Sequence, residues 1–76
     1  MKNLALIAAR KSKGLTQEQL AEMLGCKKSS VSNWENGYSN PGLYLAIKTA
    51  YILEKDVVEL FFNTKGSSNL AKVTTA

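Results

Sequence analysis

Apolar residues return at helical spacing in five separate blocks, and polar or glycine punctuation divides the blocks. Over about residues 3–13, Leu4, Ile7, Ala8 and Lys11 recur every three or four positions. Asn3 is placed to cap this first helix and Gly14 to end it in a left-handed turn. The second block has the sharpest start. Thr16 and Gln19 have the spacing of a capping box, Leu15 is placed to staple onto Leu20, and Leu20, Ala21 and Leu24 form the inward stripe before Gly25. Ala21 must be small, because a bulkier side chain would hold the next helix away. A third helix is expected over about residues 28–36, with Gly37 as its stop. At 100° per residue, Val31, Trp34 and Glu35 share one side, and Ser29, Ser32, Asn33 and Asn36 share the other. After a loop holding the sole proline, Pro41, a fourth helix over about 43–53 is expected to bury Leu43, Ala46, Ile47, Ala50 and Leu53. Asp56 then caps a short fifth helix, about 57–62. The sum is an all-α bundle over residues 1–62. Residues 63–76 are polar and weakly patterned and read as a mobile tail, in which 70–74 has the alternation of a short strand.

Composition narrows the function. Seventy-six residues make one small domain, and a chain this short buries only about 60% of its unfolded surface. One cysteine, Cys26, permits no intrachain disulfide, and it reads as a small core residue. The net charge is +4, and residues 1–37 carry +3 of it: Lys2, Arg10, Lys11, Lys13, Lys27 and Lys28 against Glu18, Glu22 and Glu35. That is the field of a polyanion binder, concentrated in the front half. With no histidine, no metal-ligand cluster, and glycines that stand singly as helix stops, no catalytic constellation forms. A non-enzyme without cofactor is expected. No membrane-spanning run or signal peptide appears, so a cytoplasmic location is expected.

The candidate chemistry lies on the two short helices of residues 15–41. The outer face of the third helix carries short polar and basic groups, which suits the DNA major groove. Asn33 is able to pair with adenine through two hydrogen bonds, Lys28 to donate to guanine O6 and N7, and Ser29 and Ser32 to contact bases or phosphate. The plain alternative is a solvated helix face. Gln17 offers an amide and a helix N-terminus to a phosphate. Trp34, which shares a side with Val31, belongs to the core. Tyr38 either stacks on a sugar or covers its loop.

The stretch GLTQEQLAEMLG, a helix ending NWENG, and a proline soon after together resemble the Cro/CI-type (XRE-like) helix-turn-helix family of bacterial and phage repressors. The resemblance spans about residues 3–62 and rests on Gln17, Ala21, Gly25, Val31, Trp34, Glu35, Asn36 and Gly37 in combination. It implies a compact five-helix, lambda-repressor-like domain that binds operator DNA as a symmetric dimer, with helix three in the major groove. It also implies base contacts at Lys28, Ser29, Ser32 and Asn33 and phosphate contacts at Gln17, Asn36, Tyr38, Ser39 and Asn40. Arg10 and Glu35 match a basic–acidic pair between helices one and three, either purely structural or aiming Arg10 at phosphate. Three positions depart from the family pattern. Lys27 stands where a capping serine or threonine is usual, and a lysine there is explained by a phosphate contact. Glu54 replaces the glycine that ends helix four, and Val58 occupies a usually polar site.

Val57, Val58, Leu60, Phe61 and Phe62 are too many apolar residues for one face of a short helix. Either all of them pack on the domain itself, or some face a partner. The expected partner is a second copy, with Val57, Val58, Phe61 and Phe62 at the interface. The function expected from these features is a sequence-specific DNA-binding regulator, a repressor acting on a palindromic operator as a homodimer. The alternative is a protein-interaction module, such as an antitoxin, working through the 57–62 surface.

Overall fold

The structure is a computed structural model describing residues 1–62. The expected tail, with its short strand, lies outside the described residues. Five helices follow one another: α1 (Leu4–Ser12), α2 (Gln17–Leu24), α3 (Lys28–Glu35), α4 (Leu43–Leu53) and α5 (Val58–Phe62), the last wound as a π-helix. No strand occurs among the described residues.

The local signals hold. The Asn3 side chain accepts the Leu6 N–H at 3.0 Å. The capping box closes in both directions, Gln19 N–H to Thr16 Oγ1 at 3.0 Å and Thr16 N–H to Gln19 Oε1 at 2.9 Å. Gly25 takes φ 74°, ψ 28°, the left-handed conformation that a residue with Cβ resists, and so turns the chain from α2 into α3. Lys27 makes no side-chain cap, so α3 begins uncapped. The end of α4 departs from the usual solution. Glu54 itself adopts φ 57°, ψ 45°, and its carboxylate pairs with Lys13 Nζ at 2.6 Å. That hydrogen bond and charge hold the exposed Glu54 carboxyl below the usual carboxylate range.

Leu6, Leu20, Val31, Leu53 and Leu60 are the fully buried aliphatic residues, and Ala9, Ala21, Leu24, Ala46 and Ala50 fill between them. Trp34 packs edge-to-face on Phe61, with centroids 6.4 Å apart at 88°. Cys26 is half-buried against this core, and burial pushes its thiol up.

Two faces differ from expectation. The inward side of α1 is Leu6, Ala9 and Arg10, while Leu4, Ala8 and Lys11 face solvent. Residues 4–9 are all apolar, so the sequence offered two faces. The pairing of Arg10 with Glu35 selected one of them. The inward side of α4 is Ala46, Thr49, Ala50 and Leu53, with Leu43 72% and Ile47 53% exposed. Small residues allow close approach, and the Thr49 hydroxyl donates to the Leu45 carbonyl at 2.6 Å, so a polar side chain is buried with its hydrogen bond made.

Candidate nucleic-acid interface

The site is built around one buried carboxylate. Glu35, 3% exposed, accepts from Arg10 Nε at 2.5 Å and Arg10 Nη2 at 3.1 Å, and from Gln17 Nε2 at 2.9 Å. Arg10 Nη1 donates to the Leu15 carbonyl at 2.7 Å. The network joins the end of α1, the start of α2 and the end of α3, so the angle between α2 and α3 is fixed by polar bonds as well as by the Gly25 turn. Among the described residues no buried side-chain polar atom lacks a partner.

This network makes the expected pair of Arg10 with Glu35. Arg10 is 8% exposed and its three nitrogens all serve Glu35 or Leu15. Its guanidinium clamps α1 to α3 through Glu35 and also lines the open groove at the start of α2. Gln17 lies at the start of α2, beside this network. It is half-buried, uses one amide hydrogen on Glu35, and holds the other and the α2 N-terminus at an open groove. Arg10, Lys11, Gly14, Thr16, Glu18 and Lys28 also line that groove. The structure therefore brings Gln17 and Lys28 together from two helices, and adds Lys11. Sequence reading placed Lys11 on an apolar stripe, and a charge at the end of such a stripe was the signal that the stripe turns outward there.

Along α3, Lys28, Ser29 and Asn33 are exposed on one side while Val31, Trp34 and Glu35 are buried on the other. Ser32 is half-buried and its hydroxyl accepts from Asn36 Nδ2 at 3.2 Å, so these two expected contacts hold each other. Tyr38, Ser39 and Asn40 lie exposed in the loop after Gly37, and Tyr38, 79% exposed, does not cover that loop. Lys27 is exposed at the α3 N-terminus.

The expected interface of residues 57–62 splits. Phe61, 7% exposed, is in the core against Trp34, which removes it from any interface. Val57 is half-buried, and Val58 (39%) and Phe62 (44%) remain exposed. α4 also exposes Leu43, Tyr44, Ile47 and Tyr51, with Lys48 Nζ 5.7 Å from the Tyr44 ring centroid, and Ile47 and Tyr51 share a surface depression with Val57. At 100° per residue these four lie within one 100° arc, a stripe that sequence reading assigned partly to the core.

A helix-turn-helix family model matches residues 6–60, the span from α1 to α5. The chain belongs to the XRE-like helix-turn-helix family. An uncharacterised HTH-type transcriptional regulator of Methanothermobacter thermautotrophicus is 40% identical over 53 residues, covering 70% of this chain and 77% of that protein. The HTH-type transcriptional activator BcrR of Enterococcus faecalis is 31% identical over 72 residues, 84% of this chain. The chain spans 35% of the length of BcrR. Among solved structures, the restriction-modification controller protein C.AhdI of Aeromonas hydrophila aligns with TM-score 0.68 and 37% identity, over 78% of this chain and 86% of that one. Family membership makes this a DNA-binding domain of the transcriptional-regulator class. Among the described residues no helix is long and apolar enough to cross a membrane, and no group of His, Cys, Asp or Glu is arranged to hold a metal.

Proposed function

We propose that the chain binds a short palindromic operator as a homodimer, with α3 of each protomer in the major groove, and represses transcription by occupying a promoter. Lys28, Ser29 and Asn33 read bases. Lys11 and Lys28 neutralise phosphate on one flank, where Gln17 donates a hydrogen bond to it, and residues 38–40 contact the backbone on the other. The observation that carries this reading is the division of α3 into a fully packed side and an exposed side bearing Lys28, Ser29 and Asn33, beside a basic groove centred on Gln17. The reading needs no catalytic step and no cofactor, and it places the protein with DNA in the cytoplasm. Activation, the activity printed in the name of BcrR, is the alternative sign of regulation.

The dimer face combines the exposed parts of α4 and α5. Leu43, Tyr44, Ile47, Tyr51, Val58 and Phe62 together expose roughly 700 Å², taking about 200 Å² for a whole side chain. That is close to the roughly 800 Å² that one partner contributes to a standard interface. A protein-interaction module, such as an antitoxin, would use the same face for a different chain.

Selection of binding sites from random DNA tests the reading. A palindromic consensus is expected, with affinity falling steeply as salt rises because counterions are released. Asn33→Ala is expected to cost about 1–3 kcal/mol on that site and to relax one base pair per half-site. An unchanged consensus with Asn33→Ala, or affinity flat in salt, refutes it.

A further inference from the structure

Residues 1–3 lie across the C-terminal end of α3. Gly37 ends that helix at φ 79°, and the Met1 carbonyl occupies the position where a Cβ on Gly37 would be. The Asn3 N–H donates to the Glu35 carbonyl at 2.9 Å, in the last turn of α3. Its side chain works in two directions. Oδ1 accepts the Leu6 N–H at 3.0 Å and so caps α1, while Nδ2 donates to the Leu60 carbonyl of α5 at 2.7 Å. One residue therefore bonds to α1, α3 and α5, and its last bond spans 57 positions of sequence.

We propose that Asn3 is a positioning residue that sets the angle between α5, which carries part of the proposed dimer face, and α3, the reading element, and so tunes the operator spacing the dimer accepts. The inference rests on the dimeric reading above. Among the described residues the other hold on α5 is apolar packing of Leu60 and Phe61, with Val57 beside them, which is non-directional. A hydrogen bond from a capped, three-way anchored side chain to a helix carbonyl is directional. Val58 and Phe62, on the same short helix, face outward toward the second copy. A swing of α5 tilts its part of that face and so changes the distance between the two copies of α3. Half-sites lie roughly 34 Å apart, so with a lever arm of about 17 Å a swing of about 10° moves each reading helix by about 3 Å, nearly one base-pair rise.

The test separates the tie from the cap. Asn3→Ser keeps an acceptor for the Leu6 N–H and is too short to reach Leu60 as well. Asn3→Asp keeps the cap, adds a favourable charge at the α1 N-terminus, and cannot donate to the Leu60 carbonyl. Affinity is measured by fluorescence anisotropy for the selected operator, for versions with one base pair added or removed at its centre, and for a single half-site. Thermal melting is followed in parallel. The wild type is expected to prefer the correct spacing by about tenfold or more. Both variants should stay folded, melting some degrees below the wild type because the Leu60 carbonyl loses its donor, and should bind the half-site equally well, yet discriminate spacing by less than about threefold. Variants that keep the wild-type spacing preference overturn the tie while leaving the dimer intact. A wild type with no spacing preference overturns the two-fold reading and the tie with it.

Discussion

Replacing Glu35 with alanine removes the one carboxylate that neutralises Arg10. In the folded protein Arg10 is 8% exposed, and after the change its sole remaining partner among those described is the Leu15 carbonyl. Three hydrogen bonds to Glu35 disappear, two from Arg10 and one from Gln17. Removing one member of a buried ion pair typically costs about 3–5 kcal/mol, because the other charge is left without compensation. A chain of this size has a total stability of about 4–10 kcal/mol. Glu35→Ala should therefore lose about a third of its stability or more. If uncompensated charge is the cause, removing both charges should repair the damage: Arg10→Met with Glu35→Leu is expected to lie within about 1 kcal/mol of the wild type. Urea unfolding, followed by far-ultraviolet circular dichroism and by the fluorescence of buried Trp34, measures both proteins. A loss below about 1 kcal/mol in Glu35→Ala refutes the reasoning, as does a double variant no more stable than the single one. The double variant also separates fold from function. Gln17 loses its anchor there, so operator affinity should fall about two- to tenfold, the worth of one hydrogen bond, while stability holds.

Gln17→Ala should weaken binding to all DNA sequences alike, by about two- to tenfold, with the selected consensus unchanged; a change in base preference would reassign Gln17 from phosphate to base reading. Tyr51→Lys and Val58→Asp place charge on the exposed α4–α5 face, so each should leave the circular dichroism unchanged and shift the protein to monomer in sedimentation; variants that stay dimeric place the interface elsewhere. Glu54→Gly should raise the melting temperature by a few degrees, since glycine takes the left-handed conformation without a Cβ penalty; a lower melting temperature would show that the Lys13 pair outweighs the backbone strain. The pH sign of that pair follows from the lowered Glu54 carboxyl: its contribution is present at neutral pH and is lost as pH falls through the folded pKa, below the usual carboxylate range. The melting advantage of wild type over Lys13→Ala should therefore shrink on acidification; an advantage that persists in strong acid contradicts the pairing.

Local rules were enough for the elements of this protein. Thr16 with Gln19, Gly25 and Gly37 act within one turn of the backbone, so the boundaries of α2 and α3 were legible from neighbouring residues alone. The outward set Lys28, Ser29 and Asn33 was legible for a related reason: the polar residues of α3 leave only one side suited to the core. Where a helix is apolar nearly all round, periodicity alone does not choose the buried face. Residues 4–9 and 43–53 are such cases, and there tertiary contacts decided. Arg10, drawn to Glu35 across 25 positions, rotated α1 and left Lys11 in the groove. Ala46, Thr49 and Ala50 let α4 approach closely and turned Leu43, Ile47 and Tyr51 outward. The fate of the 57–62 residues was settled the same way, because Trp34 supplied an edge-to-face site for Phe61 that the sequence of α5 does not mention. Sequence fixes what each short segment prefers, since those preferences act over a few bonds. Which of two acceptable faces is buried depends on a partner tens of residues away, and only the folded chain brings that partner near.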